Sequence, residues 1–115
     1  MEKLIQEVNQ CVENERERAS RKFGPINHSD HESYAIILEK FEEAMEDSIS
    51  CHSALERFWE LTKDKSGTCA EKVNTLRALR QRATMAACEF IQVAAMANKA
   101  ILTTCHCREK EMDKQ

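Results

Sequence analysis

Two glycines and a single proline in 115 residues leave this chain almost nothing from which to build turns. Glycine supplies the backbone conformations that tight turns require and proline pre-sets them, so a chain poor in both seldom reverses direction. β-Branched residues are few beside Ala, Leu, Glu, Lys and Arg, which disfavours sheet and favours long helices. No glycine-rich loop is present to cradle a phosphate, and no paired C-x-x-C or H-E-x-x-H completes a zinc site, although Cys105, His106 and Cys107 are adjacent. The first ten residues, MEKLIQEVNQ, lack the apolar core of a secretion signal. Excess positive charge is missing too: a formal net charge of -3 gives no general attraction to nucleic acid or to an anionic membrane. No repeat or low-complexity linker divides the chain. These absences lead to an all-α, cytoplasmic protein of one domain, residues 1–115, with its six cysteines reduced.

What is present is helical periodicity. Residues 2–22 carry Leu4, Ile5, Val8, Cys11, Val12 and Ala19 on one side, and Gly24 and Pro25 end that helix. Asn27, Ser29 and Asp30 are candidate N-caps for a second helix over 30–64. Its apolar stripe runs Tyr34, Ile37, Leu38, Phe41, Ala44, Met45, Ile49, Leu55, Phe58, Trp59 at three-and-four spacing, and SGT at 66–68 ends it. A third helix is expected over 69–106, followed by a fraying polar tail at 108–115. Helices of these lengths extend roughly 50 Å, against a radius of gyration of about 13 Å for a compact domain of this size. Either a helix breaks, between Leu79 and Ala83, or a second chain packs along them. A bundle completed as a homodimer or tetramer is the expected form.

The most apolar window, residues 83–102, is long enough to cross a bilayer. It holds Glu89, Gln92, Asn98 and Lys99, which are expensive in lipid, so it reads as a buried helix of a protein with no membrane partner. An isolated buried carboxylate is costly unless paired, hydrogen-bonded or bound to a metal, so Glu89 calls for a partner. One source is the segment from Asp30 to Asp47, with seven acids against one base, Lys40. Helical spacing sets Glu39 beside Glu42 and Glu43, and a hard cation such as Mg²⁺ relieves that repulsion. A solvated acidic face is the alternative. The stretch from 72 to 82 is basic, with Lys72, Arg77, Arg80 and Arg82 and no acid. It could hold phosphate through bidentate hydrogen bonds, or pair with the acidic helix.

HESYAIILEKFEEA, followed by ACEFIQVAAMANKAI, resembles the phage and prophage branch of the MazG-like all-α nucleoside triphosphate pyrophosphohydrolases, over roughly residues 20–102. The resemblance implies a MazG-like long-helix bundle. It further implies that an E-x-x-E on one helix and an E-x-x-D on a later one bind Mg²⁺ or Mn²⁺, which activates water to split a triphosphate into monophosphate and pyrophosphate. By position those pairs are Lys40 with Glu43 and Glu89 with Gln92, so half the carboxylates are replaced. The shifted pair Glu39 and Glu42 keeps the spacing. The expected set is therefore Glu43 and Glu89 as catalytic residues, Glu39, Glu42, Glu43 and Glu89 on the metal, and Arg77, Arg80 and Gln92 on the substrate. The competing expectation is a catalytically degenerate phage-type module that binds a nucleotide or a protein partner.

Overall fold

In a computed structural model, which describes residues 1–113, the chain forms three α-helices and no strand among those residues: α1 (Glu2–Phe23), α2 (Asp30–Lys63) and α3 (Cys69–Asp113). Local chemistry sets the boundaries. Gly24 closes α1 with its N–H on the Ser20 carbonyl at 2.8 Å, at φ 94°, a left-handed conformation that glycine alone adopts cheaply. Of the three expected caps, Ser29 acts: its Oγ accepts the Glu32 N–H at 3.1 Å. Thr68 and Glu71 form a reciprocal capping box at the start of α3, Glu71 N–H to Thr68 Oγ1 at 3.1 Å and Thr68 N–H to Glu71 Oε1 at 3.3 Å.

α3 is unbroken between Leu79 and Ala83 and continues past residue 106 to Asp113, through most of the segment expected to fray. No glycine or proline lies between 69 and 113 to interrupt it. Of the expected polar tail, residues 114 and 115 lie outside the described residues. By length and composition α3 is apolar enough to cross a membrane.

Two compact units divide the chain. The first comprises residues 1–41 and 90–115, that is α1, the start of α2 and the end of α3. Its core is small: Val12 and Ala19 of α1 with Ala95 and Met96 of α3, against which Ile36, Ile37, Ile91 and Ala94 pack. The α1 face expected to be buried is covered only from Val12 onward; Leu4, Ile5, Val8 and Cys11 are exposed.

The second unit, residues 42–89, holds the end of α2, the turn at 64–68 and the start of α3. The two helices are antiparallel, and Arg57 lies 3.9 Å from Glu71 across them. Its least exposed positions follow a seam of mainly small residues, Ala44, Ser48, Cys51, Ala54, Phe58 and Leu61 on α2. Their three-and-four spacing is that of one helix face. Apart from Phe58, the large side chains of the expected α2 stripe in this unit lie elsewhere: Met45, Ile49, Leu55 and Trp59 are exposed, as are Val73, Leu76 and Met85 on α3. The window 83–102 is likewise covered only in its second half. With one partner helix, residues 83–90 leave all but Ala86 and Glu89 open to solvent.

Candidate functional site

The best-formed cavity lies within the first unit and measures about 360 Å³, inside the range typical of small-molecule sites. Each helix presents one face to it. From α2 come Glu32, Ile36, Glu39 and Lys40, and from α3 Gln92, Met96 and Lys99, at the i, i+4, i+7 spacing that aligns side chains along a helix. α1 contributes Glu15, Arg18, Ala19 and Phe23, and Asn27 enters from the α1–α2 connection.

Charges on the wall are mostly committed. Arg18 Nε donates to Glu15 at 3.0 Å, and this hydrogen bond, together with the Arg18 and Lys40 charges, holds the Glu15 carboxyl below its ordinary value against the opposing effect of burial. Glu32 Oε2 lies 2.9 Å from His28 Nδ1. Lys99 differs. Only 3 % of it is exposed, and its ammonium has no hydrogen bond or ion pair among the described residues.

Asn27 is fixed with equal care. Its backbone N–H donates to Thr103 Oγ1 and its Nδ2 to Ser33 Oγ, both at 2.8 Å. Thr103, fully buried, passes its own hydroxyl hydrogen to the Lys99 carbonyl at 2.9 Å. The Asn27 Oδ1 is buried and accepts nothing among the described residues. Expected to be an N-cap, Asn27 is instead the pivot that ties the connection to α3.

The sequence-predicted site residues divide between the two units. Glu39 and Gln92 line the cavity of the first, and Lys40 lies on the same wall. In the second, Glu42 is exposed, while Glu43 and Glu89 are half-buried with interaction partners, and Glu89 Oε2 is shielded from solvent. Arg77 and Arg80 line a shallow depression with Asn74, Gln81, Thr84 and Met85. On a continuous helix, Arg80 lies nine residues, or roughly 13 Å, from Glu89. Neither arginine pairs with an acid among the described residues, so the acidic stretch of the same chain does not neutralise them. No group of three or more His, Cys, Asp or Glu is arranged to hold a metal ion among the described residues. All six cysteines are free.

Lys99, Asn27, Arg18 and Glu15 were not picked out as site residues from the sequence. A lysine amid ANKAI is a visible signal for Lys99, because a helix that apolar places its rare cation for a reason. The Asn27 carbonyl emerges only from tertiary contacts. No protein-family model matches the chain, and no curated protein or solved structure is similar to it.

Proposed function

We propose that this protein is a MazG-like helical module that binds a nucleotide through its phosphate in the cavity of the first unit. The observation that carries the reading is the chemistry at positions 40 and 92. Where the resemblance implies carboxylates for a cation, the wall bears the ammonium of Lys40 and the amide of Gln92. Both donate hydrogen bonds that a phosphate oxygen accepts, so the exchange turns a cation site toward an anion. This is the catalytically degenerate alternative, cytoplasmic and of phage or prophage type, assembled as a homodimer or tetramer.

The second reading is Mg²⁺- or Mn²⁺-dependent pyrophosphohydrolysis, and one observation favours it: Glu39 shares the cavity wall with Glu15 and Glu32. The metal, with Glu39 as its candidate ligand on this wall, would supply charge neutralisation and an acidified water.

Calorimetric titration with nucleotides, with and without Mg²⁺, beside a pyrophosphate release assay, separates the two. We expect saturable binding without release, and Lys40→Glu to weaken it. Pyrophosphate released by the parent but not by Glu39→Ala or Glu89→Ala would replace the binding reading with the enzymatic one.

A further inference from the structure

Lys99 and Asn27 form a built subsite that neither the resemblance nor the motifs anticipate. Both side chains are at least nine-tenths buried and both line the cavity. One offers a charged donor without a counter-ion, the other a fixed acceptor without a donor. A buried charge or carbonyl left in this state costs free energy, and the two requirements are complementary to a single occupant. That occupant presents an anionic oxygen to Lys99 and an N–H or O–H to Asn27 Oδ1. Its body lies against Ile36, Met96 and the ring of Phe23.

The charge of the wall limits how anionic the occupant is. Arg18, Lys40 and Lys99 are balanced by Glu15, Glu32 and Glu39, so the lining is formally neutral. A bare triphosphate, with several negative charges, meets three carboxylates and has only one uncommitted buried cation to offset them. A phosphate monoester, with a charge of about -1.5 to -2, comes much closer to matching that cation than a triphosphate does. Resting on the nucleotide-binding reading, we infer that the cavity takes a metal-free organic phosphate monoester of nucleoside-monophosphate size, with Lys99 as counter-charge and Asn27 Oδ1 reading a donor on its body.

The test is calorimetry on the full chain, without metal, using adenosine and cytidine 5′-monophosphates, the two parent nucleosides, inorganic phosphate, acetate and the Mg²⁺ complex of adenosine triphosphate. A monophosphate is expected to bind more tightly than its nucleoside or than phosphate alone. Lys99→Met is expected to weaken it by roughly tenfold or more, since the interaction lost is a charge-assisted hydrogen bond. That variant should melt no lower than the parent without ligand, because methionine fills the place of the Lys99 stem with no charge to desolvate. Labelled Met96, on the same wall, supplies a readout that needs no variant: its methyl resonance should shift at monophosphate saturation. If the Mg²⁺–triphosphate complex binds and monophosphates do not, nucleotide binding stands and this assignment falls. If no nucleotide binds, both fall. Tighter binding of acetate than of any phosphate would overturn the phosphate, as would a Met96 resonance that stays fixed. Lys99→Met binding as tightly as the parent would reduce Lys99 to a packing residue.

Discussion

At the scale of single residues, the connection between α1 and α2 depends on one hydroxyl. Thr103 accepts the Asn27 N–H while donating to the Lys99 carbonyl, and no water reaches it. Thr103→Val keeps the shape and strands a buried N–H, so it should cost about 1–3 kcal/mol in urea unfolding, whereas Thr103→Ser should cost less than about 1 kcal/mol. Equal losses in the two variants would mean that packing, not the hydrogen bond, holds the connection. Glu15 gives a pH-dependent counterpart. Because Arg18 and Lys40 hold its folded carboxyl below the ordinary 4.5, its contribution is present above the unfolded value and disappears as pH falls through the folded one. Partly exposed helical pairs are worth only about 0.3–0.5 kcal/mol, so Glu15→Gln should lower stability by that much at neutral pH and by nothing near pH 2.5. A deficit that persists in acid would assign Glu15 a role other than its ion pair. Little at this scale was legible beforehand. Sequence places Asn27 near a helix start, where capping is the common use, and its capture by Thr103 depends on a residue 76 positions along the chain.

Elements were far more legible, because their signals are local. Gly24–Pro25 and Ser66–Gly67–Thr68 are the two breaks in an otherwise unpunctuated helical pattern, and the helices end at them. The end of α3 was not legible: Arg108, Glu109, Lys110 and Glu111 are polar but strong helix formers, and polarity argues against burial rather than against helix. Nor was a break between Leu79 and Ala83 required, since nothing there opposes continuation. Gly67 shows why the second turn is short. A Cβ on it would lie 2.5 Å from the Leu61 carbonyl oxygen and 3.3 Å from that of Asp64, both backbone atoms that cannot swing aside. Gly67→Ala should therefore cost about 1–3 kcal/mol through overpacking, visible as a lower thermal midpoint. An unchanged midpoint would show that the turn adapts.

For the molecule as a whole, the second unit poses a problem of area. Forty-eight residues in two helices are near the lower limit of independent stability, and here the seam between them uses mainly small residues. Apart from Phe58, the large side chains that the stripe marks as core stand outside that seam, Trp59 57 % and Ile49 63 % exposed. The stripe was legible; what it packs against was not, since periodicity names a face and not its partner. The expected homodimer would answer the area, and part of the charge. Glu42, Glu43, Glu46 and Asp47 lie at the end of the unit away from the turn, while Lys72 and Arg77 lie in the half of its α3 segment nearer the turn. Two copies of the unit related by a two-fold axis perpendicular to their helices would bring the acids of each toward Lys72 and Arg77 of the other. Sedimentation equilibrium should then give about twice the 13.3 kDa chain mass at micromolar concentration. Ile49→Glu and Trp59→Glu should each shift the chain toward monomer and lower its melting temperature, because a charge cannot be buried in that contact without a partner. A strictly monomeric parent would leave the apolar row for a partner other than this chain. Variants that stay dimeric would instead move the contact to the exposed start of α1, where Leu4, Ile5 and Val8 lie uncovered.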